Sequence, residues 1–142
     1  MVEIVVDATS LSRSERGSIT GRIFLRSPGG EFPDSQWSDF PVVILSSWVE
    51  GLVRVASGED RVFTGLFMDG PFSFTVRLVT SNVAEVLWGP RDNQAPVQQV
   101  DVRSLLVSAA AAGSAVAQAC HASGWTSGDV EALEQALAKA AA

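Results

Sequence analysis

Between Asp39 and Leu78 the spacing of apolar residues changes character once, and that change limits what the chain can fold into. After Trp37-Ser38-Asp39-Phe40-Pro41, the residues Leu45, Trp48, Leu52 and Val55 recur at intervals of three and four, with Ile44 and Val49 widening the stripe. That is the period of a helix with one buried face. After Phe67-Met68-Asp69-Gly70-Pro71, the residues Phe72, Phe74, Val76 and Leu78 alternate with Ser73, Thr75 and Arg77. That is the period of a strand with one face buried and the other wet. Asp39 is expected to cap the helix, Pro41 suits a first turn in which no N–H partner is lost, and Gly58 ends it. Asp69-Gly70 predicts a two-residue hairpin turn with positive φ at Gly70. A helix against a hairpin is the seed of an α+β domain.

The flanking segments extend this pattern. Val2 to Asp7 is rich in β-branched residues and reads as a first strand, followed by a polar loop from Ser10 to Gly17. Ser18 to Arg26 is a second strand paired with it, stopped by Ser27-Pro28-Gly29-Gly30. Val83 to Trp88 is a further strand closed by Gly89-Pro90, and a Pro- and Gln-containing connector follows. Asp101 then caps an Ala-rich helix to about Ser123, with Leu105, Ala109, Ala112, Val116 and Cys120 along one side. Gly124 suits the left-handed position after a helix end. Thr126 and Asp129 form a capping box, stapled by Trp125 and Val130, for a last helix carrying Leu133 and Leu137. The expected architecture is one α+β domain over residues 1–142. It has an antiparallel sheet of about five strands, a helix after the second and two C-terminal helices.

Composition removes several functions. The net charge of −6 and a pI near 4.6 oppose nucleic-acid binding, which rests on neutralising phosphates. They favour a basic protein partner. No apolar run reaches the ~18 residues needed to span a bilayer, and Glu3 and Asp7 sit where a signal peptide needs cations. A cytoplasmic protein without membrane attachment is expected. With one cysteine and one histidine, neither a thiolate cage nor an internal disulfide can form. Cys120 and His121 point about 100° apart on a helix, so they diverge, and Cys120 reads as a small buried hydrophobe. Pro28-Gly29-Gly30 lacks the Lys and hydroxyl residues of a phosphate loop. Neither a catalytic set nor a cofactor is expected, and only an oxygen-ligand site from Asp34, Asp39 and Asp69 stays open for a metal.

What remains is an interaction surface. Trp37 in a loop and Trp88 at a strand end are the tryptophans without a core explanation, and Trp is frequent at interface hot spots. Glu31, Asp34, Asp39 and Asp69 flank Trp37 in sequence or in the helix–hairpin packing. Together these six residues are the candidate partner-binding set. Two other readings stand beside it: a small-molecule pocket, with or without catalysis, between sheet and helices, and a homodimer formed through the Ala-rich helix.

The strings Trp37-Ser38-Asp39-Phe40, Trp48-Val49-Glu50-Gly51-Leu52 and Leu66-Phe67-Met68-Asp69-Gly70-Pro71-Phe72 resemble a pattern in small bacterial α+β proteins of unassigned activity. Some of these are similar to the immunity partners of polymorphic toxins. The likeness covers residues 32–78 and the Gly124-Trp125 turn. It implies an α+β fold and a protein-neutralising role, and no catalytic residues.

Overall fold

The helix set by the three-and-four spacing, α1 (Pro41–Ala56), forms the centre of the molecule. In this computed structural model, which describes residues 1–142, its Leu45, Trp48, Val49, Leu52 and Val55 are fully buried. Around it lie two antiparallel sheets and two further helices, an α+β architecture.

The first sheet is built on one long strand, β3 (Ile19–Ser27). Four short strands pair with it antiparallel: β1 (Glu3–Val6), β2 (Ser12–Arg13), β4 (Gly30–Phe32) and β5 (Ser38–Asp39). The β1–β3 pairing is the expected one, with Ile4 opposite Leu25 and Val6 opposite Ile23. The second sheet is a meander of β6 (Val62–Leu66), β7 (Phe72–Leu78), β8 (Val83–Pro90) and β9 (Ala95–Asp101). The expected sheet of about five strands is therefore nine strands in two sheets. The additional strands had no local signature. β2, β4 and β5 are two or three residues long, too short to display a period. β9 contains Pro96, Gln98 and Gln99 and no alternation. It is a strand because β8 pairs with it, through a register shift at Val86/Leu87, and as a sheet edge it can carry proline.

Two further corrections concern the hairpin. The Phe67 N–H bonds the Phe72 carbonyl at 3.1 Å, so the loop is Met68–Pro71, four residues rather than two. Gly70 keeps the required positive φ, at 84°. Ser73, assigned to a wet face, is buried. The β8–β9 loop folds back across β7, where Gln94 Nε2 donates to Ser73 Oγ at 2.5 Å and Thr75 Oγ1 donates to Gln94 Oε1 at 2.6 Å. Gly89 permits the fold-back, because a Cβ there would lie 2.7 Å from the Asn93 carbonyl oxygen.

The helical layer is α2 (Val102–Ala122) and α3 (Gly128–Ala141). Asp101 caps α2, accepting from the Ser104 N–H at 2.9 Å, and all five residues of the expected stripe are buried. Gly113 lies against α3: a Cβ would meet Leu137 at 2.9 Å and Leu133 at 3.3 Å. α2 is long and apolar enough to cross a membrane by length and composition alone, but its Leu105–Cys120 stripe belongs to the core, against α1 and α3. Gly124 is left-handed as expected, with φ 69°. The α3 cap is Ser127, which accepts from the Val130 N–H at 3.2 Å, and not Thr126. The helix starts at Gly128, one residue later than the capping box requires.

Candidate functional site

Asp39 organises the surface on which most of the candidate residues meet. It is 2% exposed and does not cap α1; Phe40 holds the N-cap position without a side-chain bond. The Asp39 carboxylate instead accepts four N–H groups. Trp37 Nε1 donates to Oδ2 at 2.9 Å and the Phe40 amide to Oδ1 at 2.8 Å. The Met68 amide reaches Oδ1 at 3.2 Å and the Asp69 amide Oδ2 at 3.1 Å. One residue too far from the helix to cap it, the carboxylate is aimed by β5 at the tip of the β6–β7 hairpin. A buried carboxylate is tolerated when donors surround it, and charge-assisted bonds are the stronger kind. With both oxygens occupied by N–H donors, Asp39 is suited to neither a cation site nor a solvated rim. It is a positioning residue for Trp37, Phe40, Met68 and Asp69.

Around it runs a continuous set of aromatic contacts. Trp37 meets Phe67 and Phe72 edge-on, with centroids 6.2 and 5.4 Å apart. Phe32 packs edge-on against Phe67 and Phe72 and stacks on Trp88 at 5.1 Å. Trp48 stands edge-on to Phe67 and Phe74. Such pairs add about 0.5–1.5 kcal/mol each beyond burial. Trp37 and Trp88 are half-buried, so each shows a face while its body belongs to the junction of the two sheets. The Gly70 position closes over Trp37, where a Cβ would stand 3.0 Å from the indole.

The candidate set is thus partly assembled. Trp37, Asp39 and Asp69 come together, and Trp88 joins through Phe32 and Phe72. Asp34 and Glu31 are exposed, and neither side chain has a hydrogen bond or ion pair to this cluster. The Asp34 carbonyl accepts the Trp37 N–H at 3.3 Å, opening the turn that presents the indole. Glu31 lies on β4 opposite Arg26.

A cleft of about 350 Å³ adjoins the junction, and sequence reasoning did not find it. Ile19 of β3, Phe40 and Val43 at the start of α1, and Met68 of the hairpin loop supply its apolar wall. Arg16 stands on one side, and Ser127 and Asp129 at the start of α3 on another. Met68 is 56% exposed and Val43 37%. Exposed Met68 in the hairpin turn was the one local signal of this site; the other walls come from three distant segments.

The remaining reactive groups lie elsewhere and apart from one another. Cys120 is buried, and burial pushes its thiol up from the usual 9.0. His121 is on the surface, with Nε2 3.2 Å from Glu134 of α3. Asp7 is held below its usual 3.8 first by the Thr9 hydroxyl and then, against some desolvation, by the Thr9 amide and Arg22. Compared with family models, curated proteins and solved structures, the chain matches none.

Proposed function

We propose that the chain is a non-enzymatic bacterial protein-binding domain, of immunity or accessory type and cytoplasmic, that engages a basic partner protein. The observation that carries this reading is the use of a buried carboxylate to hold an exposed apolar side chain, Met68, beside an exposed acidic one, Asp69. Fixing both amides to Asp39 removes backbone freedom that binding would otherwise have to remove, which is how rigid interfaces gain affinity. The surrounding charge supports the sign of the partner: sixteen acidic against ten basic side chains leave a net −6. Acidic surfaces speed encounter with cationic proteins and penalise nucleic acid. Trp37 supplies a partly exposed aromatic anchor next to the turn.

The test is capture of proteins from the source organism on the immobilised chain, followed by association kinetics of the captured protein at two salt concentrations. The expected partner is basic, and its on-rate falls as salt rises. Met68→Lys and Asp69→Lys weaken it while leaving the circular dichroism unchanged. Salt-independent association, or tight DNA binding at physiological salt, would overturn this function.

A further inference from the structure

We infer that the cleft between Val43 and Met68 receives one apolar side chain from a basic segment of the partner, with a neighbouring cation of that segment reaching Asp69 or Asp129. This rests on the proposed function and assigns its contact chemistry. The walls are fixed before binding, because Asp39 Oδ1 accepts the amides of both Phe40 and Met68, at 2.8 and 3.2 Å. The cleft volume of about 350 Å³ lies at the small end of the range for binding pockets and has room for an apolar side chain and part of the segment that carries it. Met68 adapts to an irregular occupant through its unbranched thioether.

Two exposed large hydrophobic residues, Val43 and Met68, line the cleft. Of the seven large hydrophobic residues that are exposed, Val43, Val62, Leu66 and Met68 lie on α1, β6 and the loop that closes β6. α1 and β6 are in direct contact. The lining carries one carboxylate and one guanidinium, so the sign of the occupant comes from Asp69 beside Met68 and from the charge of the whole chain. Asp129 lines the cleft and Asp69 follows Met68 in the chain, and neither takes part in an ion pair. Arg16 is the one cation lining it. Two free carboxylates against one guanidinium, on a chain of net charge −6, favour a lysine- or arginine-bearing segment.

The chain carries only two methionines, Met1 and Met68, so methyl-¹³C labelling gives a direct reporter, assigned with Met68→Leu. Three probes are titrated: a short lysine peptide with a central leucine, the same peptide with serine for leucine, and a glutamate peptide with the leucine kept. The leucine–lysine peptide is expected to shift the Met68 methyl saturably. The serine and glutamate peptides should bind at least about fivefold more weakly, and the Asp69→Asn, Asp129→Asn double variant about threefold more weakly with a shallower salt dependence. Both substitutions are at exposed positions, so folding is retained and is checked by the amide spectrum. An unmoved Met68 methyl, or equal binding of the serine or glutamate peptide, overturns the assignment. Capture of a basic protein with Met68 unmoved would overturn the cleft and leave the proposed function standing. Peptide binding at Met68 without any salt-dependent protein association would do the reverse.

Discussion

Two halves of this core are built by opposite means. At the junction of the sheets, large rings interlock: Phe32, Trp37, Trp48, Phe63, Phe67, Phe72, Phe74 and Trp88 form one connected set, threaded by the Asp39 carboxylate. In the helical layer, small residues do the work: Ala109, Ala112, Gly113, Ala117, Cys120 and Ala136 let α2 and α3 close on α1 and on each other. The aromatic half depends on directional contacts and on hydrogen bonds between segments distant in sequence. The alanine half depends on the absence of side-chain volume. A substitution that removes atoms should therefore damage the first most, and one that adds atoms the second.

The largest effect is expected at Asp39. Asp39→Ala strands four N–H donors, the Trp37 indole, the Phe40 amide at the start of α1 and the Met68 and Asp69 amides of the hairpin loop, so stability should fall by about 3 kcal/mol or more in urea unfolding. A loss near 1 kcal/mol would correspond to a simple helix cap instead. Gly70→Val should follow at about 2–3 kcal/mol, since it puts a β-branched side chain at φ 84° and a Cβ 3.0 Å from Trp37. On the alanine side, Ala109→Leu should cost about 1–3 kcal/mol by overpacking a fully buried position, measured as a drop in the urea midpoint. If Ala109→Leu were silent while Asp39→Ala was severe, the helical layer would be loosely packed and the contrast would fail on that side.

Ser73→Ala should cost about 1 kcal/mol, because it leaves Gln94 without its partner on the covered face of β7. The smallest effect is expected at Asp7, outside both halves. Its carboxyl is lowered below 3.8 in the folded chain, so its contribution is fully present above that value and is lost as pH falls toward the folded pKa. Asp7→Asn should flatten the acid limb of Tm against pH and leave the midpoint at neutral pH nearly unchanged.

What could be read in the sequence was what a single segment dictates. The α1 stripe, the β7 alternation, the positive φ of Gly70, the Asp101 cap, Gly124 and the buried Cys120 each follow from neighbours within a turn or a strand. Asp39 illustrates the limit. Its position before Pro41 is what a cap would have, but two of its donors, Met68 and Asp69, are about thirty residues away and nothing local announces them. Ser73 followed the polar side of a clean alternation and was buried by a loop that only Gly89 lets fold back. The cleft was illegible for the same reason, since Arg16, Val43, Met68 and Asp129 come from four segments.

Hydrogen exchange of the tryptophan indole N–H groups tests most directly whether Asp39 fixes the proposed binding face. The Trp37 and Trp48 indoles donate to Asp39 Oδ2 and to the Leu66 carbonyl, whereas Trp125 is partly exposed and its indole has no such partner. The expected result is slow exchange at Trp37 and Trp48 and fast exchange at Trp125. In Asp39→Ala, which removes both acceptor oxygens, protection should be lost at Trp37 and at the Met68 and Asp69 amides, and kept at Trp48. Trp37 exchanging as fast as Trp125 in the unaltered chain, or retaining protection in Asp39→Ala, would contradict the account.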